Sequence, residues 1–155
     1  MNGLLRRILR ELEKSGSFQR EREFIQHGKT TVYEHSVQVA SMSVWIADRI
    51  PFRINRRSLI RGALLHDYFL YDWHTGSRHF HGFTHPATAC RNAEHDYSIN
   101  DVEHDIISRH MFPLTLKPPR TLEGFIVCVA DKICALKETF GRHASENGQT
   151  AEPPL

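Results

Sequence analysis

Cysteine is scarce in this chain, with Cys90, Cys128 and Cys134 its only copies. An odd number of thiols with no Cys-x-x-Cys spacing argues against a disulfide framework and against a cysteine-built zinc site, and it fits a reducing cytoplasm. Long apolar runs are missing as well. No stretch reaches the ~20 residues that a transmembrane helix needs. The first ten residues are basic but lack the continuous apolar core of a signal peptide, so a cytoplasmic location is expected. Net charge is nearly absent at +2, which gives no strong case for nucleic acid or membrane as partner. Internal repeats and linkers are not evident. The 155 residues therefore read as one domain, long enough to bury a core.

What the chain has in plenty is histidine, with 11 copies. Most lie between His35 and His110 rather than together at one end, as a tag would place them. The segments around them read as helices. Leu4, Leu5, Ile8, Leu9 and Leu12 recur at helical spacing, and a second short helix is expected from about Phe18 to Gln26. Thr31 and Glu34 form a capping box ahead of a helix reaching about Ile50, ended by Pro51. Asn55 or Arg56 opens the next helix, which runs into His66-Asp67. Thr84-His85-Pro86 predicts a helix start with Thr84 as N-cap, running to about His95. Asn100 and Glu103 form another capping box. A last helix begins near Thr121, with Gly141 as its C-cap. No convincing strand is visible, so the fold class is an all-α, single-domain helical bundle. Residues 1–30 read as a helical extension packed on the core, 31–141 as the core domain, and 142–155 as a disordered tail.

These helices place metal-capable side chains inward. His35 shares a face with Val39, Met42 and Ile46. His66 and Asp67 are adjacent, and a carboxylate with two oxygens can bridge two ions where an imidazole binds one. His85 and His110 follow on separate helices, with His81 an alternative to His85. Asp131 sits within an apolar stretch, where an unpartnered carboxylate would cost several kcal/mol. Imidazole and carboxylate together suit Zn, Fe, Mn, Co or Ni.

The ordered pattern H…HD…H…H…D, carried by Val32-Tyr33-Glu34-His35-Ser36, Leu64-Leu65-His66-Asp67 and Val129-Ala130-Asp131-Lys132, resembles the HD-domain superfamily of metal-dependent phosphohydrolases. The resemblance covers about residues 31–140. It implies two divalent metal ions, iron or manganese before zinc, cobalt or nickel. His35, His66, Asp67 and Asp131 would hold the first, and Asp67, His85 and His110 the second. It further implies hydrolysis of a phosphate monoester or diester by a hydroxide that the two ions activate, with Asp67 as the catalytic bridge. The substrate would be small and phosphorylated, a nucleotide among the candidates.

Two departures qualify the resemblance. Many HD hydrolases carry HDxGK, but Leu70 stands at the lysine position here. His110 is followed by Met111, and no Gly-Tyr-Pro extension is present, which weakens a cyclic-dinucleotide phosphodiesterase assignment. The lysine's role would fall to another group, such as Lys132, Arg109 or a loop histidine, or be absent. Asp72, His74, Arg78, His79, His81, Arg109, Lys117 and Lys132 are the candidate substrate contacts, and an anion is expected between the metals and the loop from Asp72 to Thr84. The same ligand pattern also resembles mixed-valence di-iron oxygenases of the superfamily, such as myo-inositol oxygenase. A degenerate domain used only for binding is the remaining class. Nothing in the sequence speaks to oligomeric state.

Overall fold

The computed structural model describes residues 2–72 and 81–146, without the side chains of His27, of 81–83 and of 141–146. Six α-helices make the bundle: α1 (Gly3–Lys14), α2 (Val32–Ala47), α3 (Arg56–Leu65), α4 (His81–Tyr97), α5 (Asp101–Arg109) and α6 (Leu122–Glu146). The fold class is all-α, as the hydrophobic spacing predicts.

Capping chemistry sets most of the helix starts. Thr31 and Glu34 form the expected box at α2, and Asn100 and Glu103 form one at α5. Each box satisfies backbone N–H groups that the first turn leaves without partners. The Asn55 side chain accepts from the Ser58 N–H at α3, and the Thr121 hydroxyl accepts from the Gly124 N–H at α6.

Four expectations need correction. The segment after α1 is a short 3-10 helix, Phe18–Glu23, followed by a small antiparallel hairpin of β1 (Ile25–His27) and β2 (Thr30–Thr31). Gly28, at φ +62°, makes its turn, a backbone shape open to glycine at little cost. This hairpin is too short to show an alternating pattern. Second, α4 starts at His81, so Thr84 is not its cap and Pro86 lies inside it. Proline so near the start removes a single intrahelical hydrogen bond, which a helix packed on a core tolerates. Third, α2 stops at Ala47, short of Ile50. Fourth, α6 passes through Gly141 to Glu146, so that glycine does not end the helix. Residues 147–155 fall outside the described region.

The core is one cluster that joins Leu5, Ile8 and Leu12 of α1 to Val39, Leu64, Ile106 and Val127 of the later helices. Tyrosine hydroxyls fasten the N-terminal segment to it: Tyr97 accepts from the Phe18 N–H at 2.9 Å, and Tyr68 accepts from the Ser17 N–H at 3.1 Å.

Helices α3 and α5 approach closely at Gly62. A methyl group there would lie 2.4 Å from Ile106 Cδ1 and 3.0 Å from its Cβ. A glycine inside a helix ordinarily costs about 1 kcal/mol relative to alanine; here it lets the two helices meet. Gly62→Val is expected to destabilise the protein by about 1–3 kcal/mol through overpacking, read as a lowered denaturation midpoint in urea at unchanged slope.

Candidate metal centre

Helices α3 and α5 end on the same device. His66 is the C-cap of α3 and His110 the C-cap of α5. Each ring places its Nδ1 2.8 Å from the carbonyl three residues back, of Ala63 and of Ile107 respectively. Those carbonyls lie in the last turn, where intrahelical donors run out. Donation from Nδ1 fixes the tautomer of the neutral ring and leaves the Nε2 lone pair pointing away from the helix. Because Gly62 brings α3 against α5, the two imidazoles meet with ring centroids 4.9 Å apart.

The other donors converge on the same place. His35 comes from the first turn of α2, Asp67 from the residue after the α3 cap, His85 from α4 and Asp131 from the middle of α6. All six are at least nine-tenths buried. Their atoms form three overlapping groups that could each hold an ion: His35, His66 and Asp67; His66, His110 and Asp131; and Asp67, His85 and His110.

Asp67 divides its two oxygens between two sets of partners. Oδ1 lies 3.1 Å from His85 Nε2 and 3.4 Å from His110 Nε2. Oδ2 lies 3.3 Å from His66 Nε2 and 3.9 Å from His35 Nε2. Asp131 Oδ1 closes the second set, 3.1 Å from His35 Nε2 and 3.6 Å from His66 Nε2. One carboxylate therefore faces two nests of donors.

The contacts fit an ion better than they fit hydrogen bonds. Among the described residues, His66 Nε2 and Asp67 Oδ1 are buried without a hydrogen-bond partner despite these short distances. His85 and His110 bring two Nε2 atoms to 2.9 Å of each other, and the neutral His110 ring, donating through Nδ1, has a lone pair there that can accept from His85 or bind an ion. Nitrogen and carboxylate donors of this kind suit a divalent transition metal.

Without metal, protonated imidazoles offset part of the buried negative charge. Burial alone would lower the pKa of His35, but the Asp131 and Glu138 carboxylates prevail and raise it to about 9. His66 is likewise lifted against burial by Asp67 and Asp131. Burial would raise both carboxyls, yet the histidines hold Asp67 and Asp131 well below the ordinary range. Burial depresses His110 below its usual value. In the metal-free site, protons on two imidazoles thus offset two of three carboxylates, those of Asp67, Asp131 and Glu138.

Three buried side chains that the sequence did not single out support the set. Glu138 holds His35 Nδ1 at 3.0 Å, and Gln26 Nε2 donates to Asp67 Oδ2 at 2.5 Å. Glu21 is fully buried, and burial drives its carboxyl well above the usual range. Glu138 lies seven residues after Asp131, two helical turns along the same face, a spacing that could have flagged it. Gln26 and Glu21 come from a segment that carries no metal-ligand spacing. Partners that orient ligands commonly contribute 10–100-fold to metal affinity. Gln26→Leu is expected to weaken Mn²⁺ binding about tenfold by isothermal titration calorimetry; unchanged affinity would make the amide a bystander.

The candidate substrate contacts divide. Lys132 stands at the rim of the site, with Nζ 2.8 Å from the His110 carbonyl and 3.8 Å from Asp131 Oδ2. Arg109 lies 3.1 Å from Asp105 and donates to the Pro118 carbonyl. Leu70, at the lysine position of the HDxGK pattern, packs against the hydrophobic core with φ +52°. Lys117 and Asp72 are exposed. His74, Arg78 and His79 lie outside the described residues, as does the side chain of His81. Most of the loop expected to meet an anion, residues 73–80, lies outside the described region.

The bundle and its buried histidine–aspartate cluster are those of a divalent-metal-binding helical domain. A family model described as the HD domain matches residues 32–136, and the chain belongs to that family. Its members are largely metal-dependent hydrolases. No curated protein and no solved structure matches the chain.

Proposed function

We propose that the protein is a metal-dependent phosphohydrolase acting on a small phosphate monoester or diester, with nucleotides among its candidate substrates. The observation that supports this best is the split of Asp67, one oxygen toward His85 and His110 and the other toward His35 and His66. Two divalent ions held there would lower the pKa of a water, polarise a phosphoryl oxygen and, with four positive charges against the carboxylates of Asp67, Asp131 and Glu138, favour an anionic substrate. Iron or manganese is the expected pair.

The chain's own residues divide the remaining work. His35, His66 and Asp131 form one nest, His85 and His110 the other, and Asp67 spans both. Glu138 and the Ala63 and Ile107 carbonyls hold three of the rings in place, so little reorganisation is needed when substrate arrives. Lys132, held at the rim by the His110 carbonyl, is assigned the role of the cation that Leu70 cannot supply, charge-stabilising the phosphate or its leaving group. Arg78, with His74, His79 and His81, is assigned to recognition of the substrate's anionic end, and the exposed Lys117 and Asp72 to contacts with the rest of the substrate.

The test is a pair of assays of Mn²⁺- and Fe²⁺-loaded protein on a panel of phosphate monoesters and diesters, nucleotides included: phosphate release without oxygen, and oxygen uptake in air-saturated buffer. Phosphate release that requires metal is expected. Oxygen uptake by the iron form with no phosphate release from any substrate would replace this reading with oxygenase chemistry. Metal binding with neither activity would leave a binding module.

A further inference from the structure

The outward face of α6 is apolar where a surface helix is ordinarily polar. Leu122, Phe125, Val129, Leu136 and Phe140 are 38%, 45%, 50%, 56% and 65% exposed. With the half-buried Ile133 they recur every three or four residues. At about 100° per residue this spacing confines all six to an arc of about 80°, running ~27 Å along the helix. Lys132 stands at the edge of that arc, with its ammonium turned to the His110 carbonyl. Beside the ridge runs a groove between α2 and α6, lined by Val37, Met42, Trp45, Cys134 and Lys137.

We propose that this face is the contact between two copies of the chain, packed about a two-fold axis so that the α6 ridge of each copy enters the α2–α6 groove of the other. A two-fold contact requires one surface to contain its own complement, and ridge and groove lie here side by side. The area is also suitable. The exposed parts of the ridge and of Trp45 amount to on the order of 600 Å² of apolar surface, the upper end for a monomer's largest patch. A standard interface buries about 800 Å² per partner, including its polar rim.

Other occupants fit less well. Residues 147–155 offer Ala151, Pro153, Pro154 and Leu155 as apolar side chains, without the three-and-four spacing that matches a helical ridge. A lipid surface would call for a lysine- and arginine-rich border, whereas Lys132 and Lys137 are the cations flanking the ridge. The inner face of the same helix carries Asp131 and Glu138, so a partner packed on the outer face would brace the helix that supplies them.

Sedimentation velocity of the full chain, metal-loaded and over a dilution series, tests this. The expected mass is 2 × 18.0 kDa. The double substitution Val129→Glu, Leu136→Lys is expected to raise the dimer dissociation constant about 100-fold or more, with the circular dichroism spectrum and Mn²⁺ affinity unchanged. A wild-type chain of 18.0 kDa at every concentration overturns the proposal, and co-sedimentation of that monomer with phosphatidylglycerol vesicles would assign the ridge to lipid instead. A folded double variant that dimerises as tightly as wild type also overturns it.

Discussion

Asp67→Ala is expected to strip the protein of both ions and to lower its hydrolytic rate by at least ~10³-fold. The reason lies in the division of one carboxylate between two sets of histidines. Removing a terminal ligand weakens one nest, but removing the bridge weakens both. His110→Ala, which touches the nest shared with His85, is expected to release mainly one ion. The rate estimate follows from the several kcal/mol that metal ions contribute to phosphoryl-transfer barriers, at about 1.4 kcal/mol per tenfold. Metal content per chain and turnover are measured on the same preparations. Equal loss of both ions in both variants would contradict the bridging role.

Removing the metal from the wild-type protein is expected to lower its melting temperature by roughly 10 °C. A ligand that binds the folded state alone at about 1,000 times its dissociation constant stabilises by about 4 kcal/mol. For a chain of this size each kcal/mol is worth about 2–4 °C. The effect depends on pH in a definite direction. His35 has its pKa raised to about 9 in the metal-free fold, against about 6.5 in an unfolded chain. Its pairing with Asp131 and Glu138 therefore stabilises the stripped protein fully below about pH 6.5 and is lost as pH rises through about 9. Asp67 and Asp131, held low, contribute in the opposite sense, above about pH 4, and that contribution is lost on further acidification. Metal must displace the imidazole protons, so its affinity rises with pH over the window in which His35 loses its own. The melting-temperature gap between loaded and chelator-treated protein should widen from pH 6 to pH 8.5. A gap that is constant or narrows would mean that these imidazoles are not ligands.

Much of the fold was legible because its signals are local. Two capping boxes and the apolar spacing of α1, α2 and α6 depend only on near neighbours along the chain. The hairpin of Ile25–His27 and Thr30–Thr31 was not legible, because two- and three-residue strands carry no period. The start of α4 was misread because Thr84 and Pro86 form a good initiation signal in isolation, yet the helix extends one turn further back.

The candidate site divides in the same way. His35, His66, Asp67, His85, His110 and Asp131 come together as their order along five helices implied. Their orienting partners were mostly invisible, since carbonyls such as Ala63 and Ile107 have no sequence signature. Gln26 reaches Asp67 across 41 residues of chain, from a segment preceding the residues that the family model matches. The partners of the candidate cations were likewise a matter of three dimensions: Arg109 pairs with Asp105 on its own helix, while Lys132 turns to the His110 carbonyl.

Anomalous scattering from crystals of the manganese- or iron-loaded protein is the most direct measurement of the central claim. Two peaks are expected, about 3.5–4 Å apart, one on each side of the Asp67 carboxylate, the first among His35, His66 and Asp131 and the second beside His85 and His110. A single peak, or peaks away from Asp67, would contradict the dinuclear site on which the proposed hydrolysis rests.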